Sequence, residues 1–260
     1  MRTIRLTVAY DGTAYAGWQI QPNAATVQAE LEKAIEKITG KRSRATASGR
    51  TDAGVHALGQ VVAFRTGSAM APEVLCRALG AELPDDIAVL DAREVPECFH
   101  PIRDAARKRY RYVIHDCPVR DVFSRRYAWH YGRPLDAEAM QRAASALLGK
   151  HDFTSFAASG SERTSNVRTI FVLSVARGQG GQAAVIAVEI EADGFLYNMA
   201  RAIVGTLVEV GRGAQEEAWP AQVLSARDRA VAGPTAPPQG LFLVKVDYPP
   251  SCESPTSSRD

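Results

Sequence analysis

The stretch ASGRTDAGVHALGQ, residues 47–60, sets Arg50, Asp52 and His56 among three glycines. Loops of this composition run over surfaces and carry function more often than structure. Asp52 is the only acid between residues 37 and 72, and its neighbours are mostly small or apolar. That pattern points to a half-buried carboxylate beside a backbone that needs glycine, a group suited to act as nucleophile or general base. The same residue would also serve as an Asx turn or a cap. Asp52 and His56 stand four apart, but the intervening glycine and the lack of a third ligand argue against a metal pair.

Arg201 is the lone charge in GFLYNMARAIVGTLV, residues 194–208, a segment apolar nearly all round and so expected to form a buried helix. A buried guanidinium keeps its proton and must meet an anion, since an unpaired buried charge costs several kcal/mol. Asp52 is the other isolated charge, and pairing with Arg201 would hold its carboxylate ionised. Snorkelling to solvent or binding helix-terminal carbonyls remains open to Arg201 as well. In RKRYRYVIH, residues 107–115, Tyr110, Tyr112 and Ile114 share one strand face and Arg109, Arg111 and Val113 the other. One tyrosine can present its ring to a base, while composition alone favours core packing for both.

Positioning these groups requires a regular scaffold. Residues 3–10 alternate Ile4, Leu6, Val8 and Tyr10 with Thr3, Arg5, Thr7 and Ala9, the period of a half-buried strand. A helix follows, with Thr26 as its cap, Val27, Leu31, Ile35 and Ile38 on one stripe, and Gly40 as its stop. Further strands are expected at 60–65, 87–95, 108–115, 170–176, 184–191 and 241–248, and helices near 72–82, 136–148, 195–210 and 219–231. The fold class is therefore α+β, read as two successive halves, 1–105 and 106–248, with a flexible tail over 249–260. The short connection GQGGQ at 178–182 favours antiparallel pairing, with helices on one sheet face and a binding cleft on the other.

At 260 residues, 46% hydrophobic and 23% charged, the composition is that of an average globular chain. The N-terminus alternates and lacks an apolar h-region, so a cytoplasmic protein is expected. Cys76, Cys98, Cys117 and Cys252 form neither C-x-x-C pairs nor Cys/His clusters, which suggests reduced, mostly buried thiols. The net charge of +2 conceals a concentration: residues 103–133 hold nine Lys/Arg against three acids, or +6, interleaved with Tyr110, Tyr112, Tyr127, Trp129 and Tyr131. Cations for phosphates and rings for exposed bases suit RNA, although a solvated sheet face would have the same composition.

These residues carry a resemblance. GRTDAGVHALGQVVAF, with YDGTAYAGWQIQPNAATVQAELEKA upstream and FHPIRDAARKRYRYVI, DGFLYNMARAIVGTLVEVG and GLFLVKVDY downstream, is similar in order and spacing to the tRNA pseudouridine synthase A family. The resemblance spans about residues 3 to 248 and rests above all on the G-R-T-D-x-G-V-H motif. It implies isomerisation of uridine to pseudouridine at positions 38, 39 and 40 of the tRNA anticodon stem-loop, with no cofactor and no catalytic metal, by a homodimer.

Residue by residue, the resemblance makes Asp52 the catalytic aspartate and Arg50 the arginine associated with base flipping. Tyr110 falls on the tyrosine that stacks against the target base, Arg201 on the arginine that pairs with the aspartate, and Leu241 on an apolar pocket residue. The implied fold is two pseudo-symmetric halves forming one extended, mainly antiparallel sheet with a central RNA cleft. Arg125 and Arg126, from the basic segment, are added as tRNA-binding candidates. Two other readings are weighed against this one: an RNA-binding protein of the same fold without activity, and a nuclease using Asp52 and His56.

Overall fold

A computed structural model describes residues 1–158, 165–179 and 183–252. Backbone contacts divide the chain into two units, Met1–Arg107 together with the chain from Leu243 onward, and Lys108–Phe242. Each is α+β, and among the described residues no helix is long and apolar enough to cross a membrane.

In the first unit β1 (Arg2–Tyr10) is flanked by two antiparallel partners, β3 (His56–Thr66) and β4 (Ile87–Val95), while the short β2 (Thr46–Ala47) adds to β3. The register sets Ile4 opposite Phe64 and Leu6 opposite Val62, all of them buried. Helices α1 (Val27–Thr39) and α2 (Pro72–Glu82) bury Val27, Leu31, Ile35, Leu75 and Leu79 in the same core. Each such side chain contributes about 1.5–3 kcal/mol by leaving water.

Gly40 ends α1 in the left-handed conformation, its N–H donating to Glu36 O at 2.9 Å. Thr26 occupies the cap position but does not cap. Its hydroxyl is buried without a partner among the described residues, because the first helical N–H groups are taken elsewhere. Val27 N–H donates to Gly17 O at 3.3 Å and Gln28 N–H to Trp18 O at 3.1 Å. The outer face of β1 is not bare: Thr3 and Arg5 are buried, and the Arg5 guanidinium lies over the Tyr248 ring at 5.0 Å.

The second unit runs β5 (Arg107–His115), β9 (Val185–Ala192), β8 (Val167–Arg177) and β7 (Gly149–Asp152) in antiparallel order. Here β6 (Trp129–His130) lies parallel to the end of β5. The β8–β9 connection closes with Gly178 N–H on Val185 O at 2.8 Å, and its residues 180–182 lie outside the described residues. Helix α3 (Ala137–Ala144) is shorter than its apolar pattern suggests, because Ser145–Leu147 tighten into a 3-10 turn. Helix α4 (Met199–Gly211) starts at Met199 and not near 195, since Asn198 has φ 61°. All of α4 except Arg201 and Glu209 is buried. Helix α5 (Trp219–Ala226) likewise ends early, at Arg227 with φ 51°.

Asp116 anchors this core. Its carboxylate accepts from both Arg177 terminal nitrogens, at 2.9 and 2.6 Å, and from Leu135 N–H at 2.9 Å. The final strand β10 (Leu241–Asp247) begins in the second unit with Leu241 and Phe242 and carries the chain into the first from Leu243. There Ala106 N–H donates to Asp247 O at 2.8 Å. Of the expected tail, Pro250–Cys252 form a 3-10 turn and residues 253–260 lie outside the described residues. All four cysteines are free, but none is buried: Cys98 is exposed and the others are intermediate.

Candidate active site

Asp52 stands at the head of a tight turn in which Val55 N–H donates to Asp52 O at 3.1 Å and Gly54 has φ 75°. The amide an Asx turn would use, Gly54 N–H, goes to Tyr15 O at 3.3 Å. Asp52 is half-buried and Arg50 exposed. Three elements clamp this loop. From β1, the Tyr10 hydroxyl meets Thr51 Oγ1 at 2.7 Å. From β3, Gln60 donates to Gly49 O at 2.8 Å and accepts from Ser48 Oγ at 2.6 Å, while Val61 O receives Ser48 N–H at 2.7 Å. From the segment after β1, Trp18 N–H donates to Thr51 O at 3.0 Å.

Burial pushes the Tyr10 phenol up to about 12, against the opposing pull of its Thr51 and Gln60 hydrogen bonds, so it remains a neutral strut at ordinary pH. Gly17, with φ 95°, lies so close that a Cβ there would stand 2.6 Å from Thr51 O and 3.0 Å from Asp52 C. The sequence motif marked Asp52; the clamp of Tyr10, Thr51, Gln60 and Gly17 was not read from it. Its traces were the hydroxyl-bearing residues beside the motif and the glycine of YDGTAYAGW.

His56 lies inside the fold. It is 1% exposed, and its Nδ1 accepts Gly12 N–H at 3.0 Å. Asp11 Oδ1 lies 3.1 Å from the same nitrogen. That oxygen also accepts from the N–H and hydroxyl of Thr13. A buried imidazole engaged in this way is out of reach of an RNA phosphate, which removes the basis of the nuclease reading.

The second unit gathers the other candidates at the N-terminal end of α4. Tyr110 is 9% exposed and meets Phe195 edge-on, with ring centroids 4.8 Å apart. Tyr112 is fully buried, and its hydroxyl donates to Pro237 O at 2.7 Å. Burial raises its pKa, with Arg201 the opposing charge. Of the two tyrosines, Tyr112 is therefore the core strut.

Arg201 is half-buried, donating Nε to Ala236 O at 2.7 Å and a terminal nitrogen to Asn198 Oδ1 at 2.9 Å, while its own carbonyl accepts Ala236 N–H at 3.1 Å. It thereby ties the loop 233–240 to the helix. The approach is so close at Gly205 that a Cβ would stand 1.7 Å from Pro234 O. Leu241 follows that loop as a buried residue. An open cavity of about 880 Å³, lined by Leu135, Asp136, Ala139, Val210, Arg212 and Glu216 among others, lies beyond the opposite end of α4 and holds none of the candidates.

The basic segment is partly neutralised. Arg109 pairs with Glu191 and Arg111 with Glu189, both at 2.6 Å and both directly opposite in the β5–β9 register. Counting those two acids lowers the +6 of residues 103–133 to +4. Arg125 and Arg126 are exposed on the turn before β6. Among the described residues no group of three or more His, Cys, Asp or Glu is placed to hold a metal.

Residues 6–103 and 143–249 match the family model described as tRNA pseudouridine synthase. The chain belongs to that family. Arg50, Asp52, Arg201 and Leu241 fall inside the matched spans, and Tyr110, Arg125 and Arg126 between them. Among the family's curated members, the tRNA pseudouridine synthase A of Moorella thermoacetica is 50% identical over 251 residues, covering 95% of this chain and 100% of that protein. Those of Thermoanaerobacter sp. strain X514 and Pelobacter propionicus are 48% and 45% identical over 248 residues, again covering 95% of this chain and 100% of each relative. As a member of a synthase family the chain is an enzyme, an isomerase of tRNA uridine.

Proposed function

We propose that this protein converts uridine to pseudouridine at positions 38, 39 and 40 in the anticodon stem-loop of tRNA, with Asp52 as its catalytic residue. The observation that carries this reading is the clamped turn presenting a half-buried Asp52 in a chain of the tRNA pseudouridine synthase family. In the reaction the C1′–N1 bond breaks, the freed uracil turns, and C5 bonds to C1′. The proton lost from C5 is balanced by one gained at N1, so the product is an isomer and no redox partner or external group enters. Asp52 starts the sequence either by attacking C1′, in an ester bond that breaks again as C5 bonds to C1′, or by taking the C2′ proton, which returns to C2′ when C5 bonds to C1′.

Arg50, Tyr110, Arg201 and Leu241 are proposed to serve the same reaction in the roles the resemblance assigns. Flipping the target nucleotide out of its helix costs a few kcal/mol, which contacts to the flipped base, stacking among them, must offset. Arg125 and Arg126 are proposed to meet tRNA phosphates. The enzyme is further proposed to act in the cytoplasm as a homodimer, its mass to be checked by sedimentation equilibrium.

Incubation of the purified protein with unmodified tRNA in EDTA, followed by carbodiimide mapping, tests the reading. Adducts at positions 38 to 40 are expected. Adducts elsewhere would overturn the positions, and bound but unmodified tRNA would leave a binding protein.

Tyr110 gives a finer test. Tyr110→Phe keeps the ring and its edge-on contact with Phe195, and is expected to bind tRNA nearly normally. Tyr110→Leu removes the stack and is expected to weaken binding by about 5- to 150-fold, the equivalent of 1–3 kcal/mol per base. Equal binding losses in the two would refute stacking, and a tightly binding but inactive Phe variant would move the hydroxyl into proton transfer at C5.

A further inference from the structure

Between β5 and β6 the chain makes an excursion, residues 117–128, within the stretch separating the two spans matched by the family model. Phe123 at its tip is 88% exposed, more than any other large hydrophobic side chain among the described residues, with Val119 at 79% and Val122 at 55% beside it. The turn is internally ordered. Asp121 Oδ1 accepts Phe123 N–H at 2.9 Å, and that bond heads the causes holding its carboxyl below the usual range. Arg125 donates to Val122 O at 2.6 Å, and Tyr127 N–H to Ser124 O at 2.8 Å. At the base of the excursion, His130 Nε2 meets Cys117 O at 2.9 Å.

Arg120, Arg125 and Arg126 against Asp121 leave this turn at +2. All three arginines are exposed, and Arg120 makes no hydrogen bond or ion pair among the described residues. This contrasts with Arg109 and Arg111, each neutralised across the sheet.

We propose that the 117–128 turn is a second RNA contact, in which Phe123 stacks on an unpaired tRNA base other than the target uridine and Arg120, Arg125 and Arg126 take the flanking phosphates. The turn holds its ring outward before any ligand arrives, so little ordering entropy opposes the stack. Polyanionic RNA offers both a flat apolar face and closely spaced negative charge. A protein partner burying Phe123 would also have to pair or desolvate three guanidiniums within seven residues.

The inference rests on the tRNA substrate proposed above, and the test separates the two. With full-length protein and unmodified tRNA, Phe123→Ala is expected to raise Kd by about 5- to 150-fold, the equivalent of 1–3 kcal/mol, without changing the slope of log K against log salt. Phe123→Trp should restore the affinity, and Arg120→Ala should reduce the magnitude of the slope by about 0.7, one phosphate contact on a single strand. Sedimentation mass should stay that of wild type in every variant. An unchanged Kd for Phe123→Ala, or a fall in its sedimentation mass, would overturn the proposal, the second by making the turn a protein contact. Wild-type protein that neither binds nor modifies tRNA would instead overturn the proposed function.

Discussion

Asp52→Asn is expected to lower the single-turnover rate of pseudouridine formation by at least about 10²- to 10⁴-fold, the range ascribed to a positioned acid or base. Binding of tRNA should change little. The amide keeps the size and shape of the carboxylate but can neither attack C1′ nor take a proton from C2′. The clamp should survive the change because it is built from other groups: Trp18 N–H on Thr51 O, Tyr10 on Thr51, Gln60 on Gly49 and Ser48, and the Asp52 carbonyl itself. A melting midpoint close to that of wild type would confirm this. A variant retaining more than about a tenth of the wild-type rate would show that Asp52 is not the catalytic group. The nucleophilic and proton-abstraction routes share this outcome, since both require the ionised oxygen. An inactive Asn variant that still binds tRNA would separate chemistry from recognition in a single pair of measurements.

Where the sequence was legible, local chemistry and tertiary packing agreed. Residues 72–82 and 87–95 form a helix and a strand at the expected bounds, because Pro72 opens the one and the other is a long β run. The start of α4 was misplaced because Phe195 and Leu196 continue the apolar stripe, while the left-handed turn at Asn198 leaves no mark in that periodicity. The strands β2, β6 and β7 are only two to four residues long and carry too few alternations to show a period.

Long-range pairing accounts for the remaining differences. Glu189 and Glu191 lie 78 and 82 residues from the arginines they neutralise, so the basic segment looked stronger than it is. Thr26 looked like a cap, yet Gly17 and Trp18 of an earlier loop supply the carbonyls instead. His56 shows the same limit: its motif position is plain, but only the fold reveals that its ring accepts from Gly12. The motif around Asp52 could be read in one dimension, whereas the parts that hold its loop come from β1, β3 and the loop leading to α1.

Gly17→Ala should display that dependence, with Gly40→Ala as its control. Both glycines have a left-handed φ, 95° and 70°, so each substitution incurs a backbone penalty of about 1–2 kcal/mol. They differ in what the new methyl meets: nothing within 4 Å at Gly40, but Thr51 O at 2.6 Å and Asp52 C at 3.0 Å at Gly17. Those neighbours are backbone and cannot swing aside as a side chain would, so the loop must shift as a unit. Gly40→Ala is expected to lose about 1–2 kcal/mol in chemical denaturation and to keep its single-turnover rate. Gly17→Ala should lose a further 1–3 kcal/mol, roughly the penalty of overpacking, and its rate should fall by about 10²-fold, the effect of a 1 Å misplacement. The rate loss should persist under conditions where both variants are fully folded, because it arises from the position of Asp52 in the native state and not from the unfolded fraction. Equal stability losses in the two variants, or a Gly17→Ala enzyme with wild-type rate, would show that the segment after β1 does not set the position of the catalytic turn.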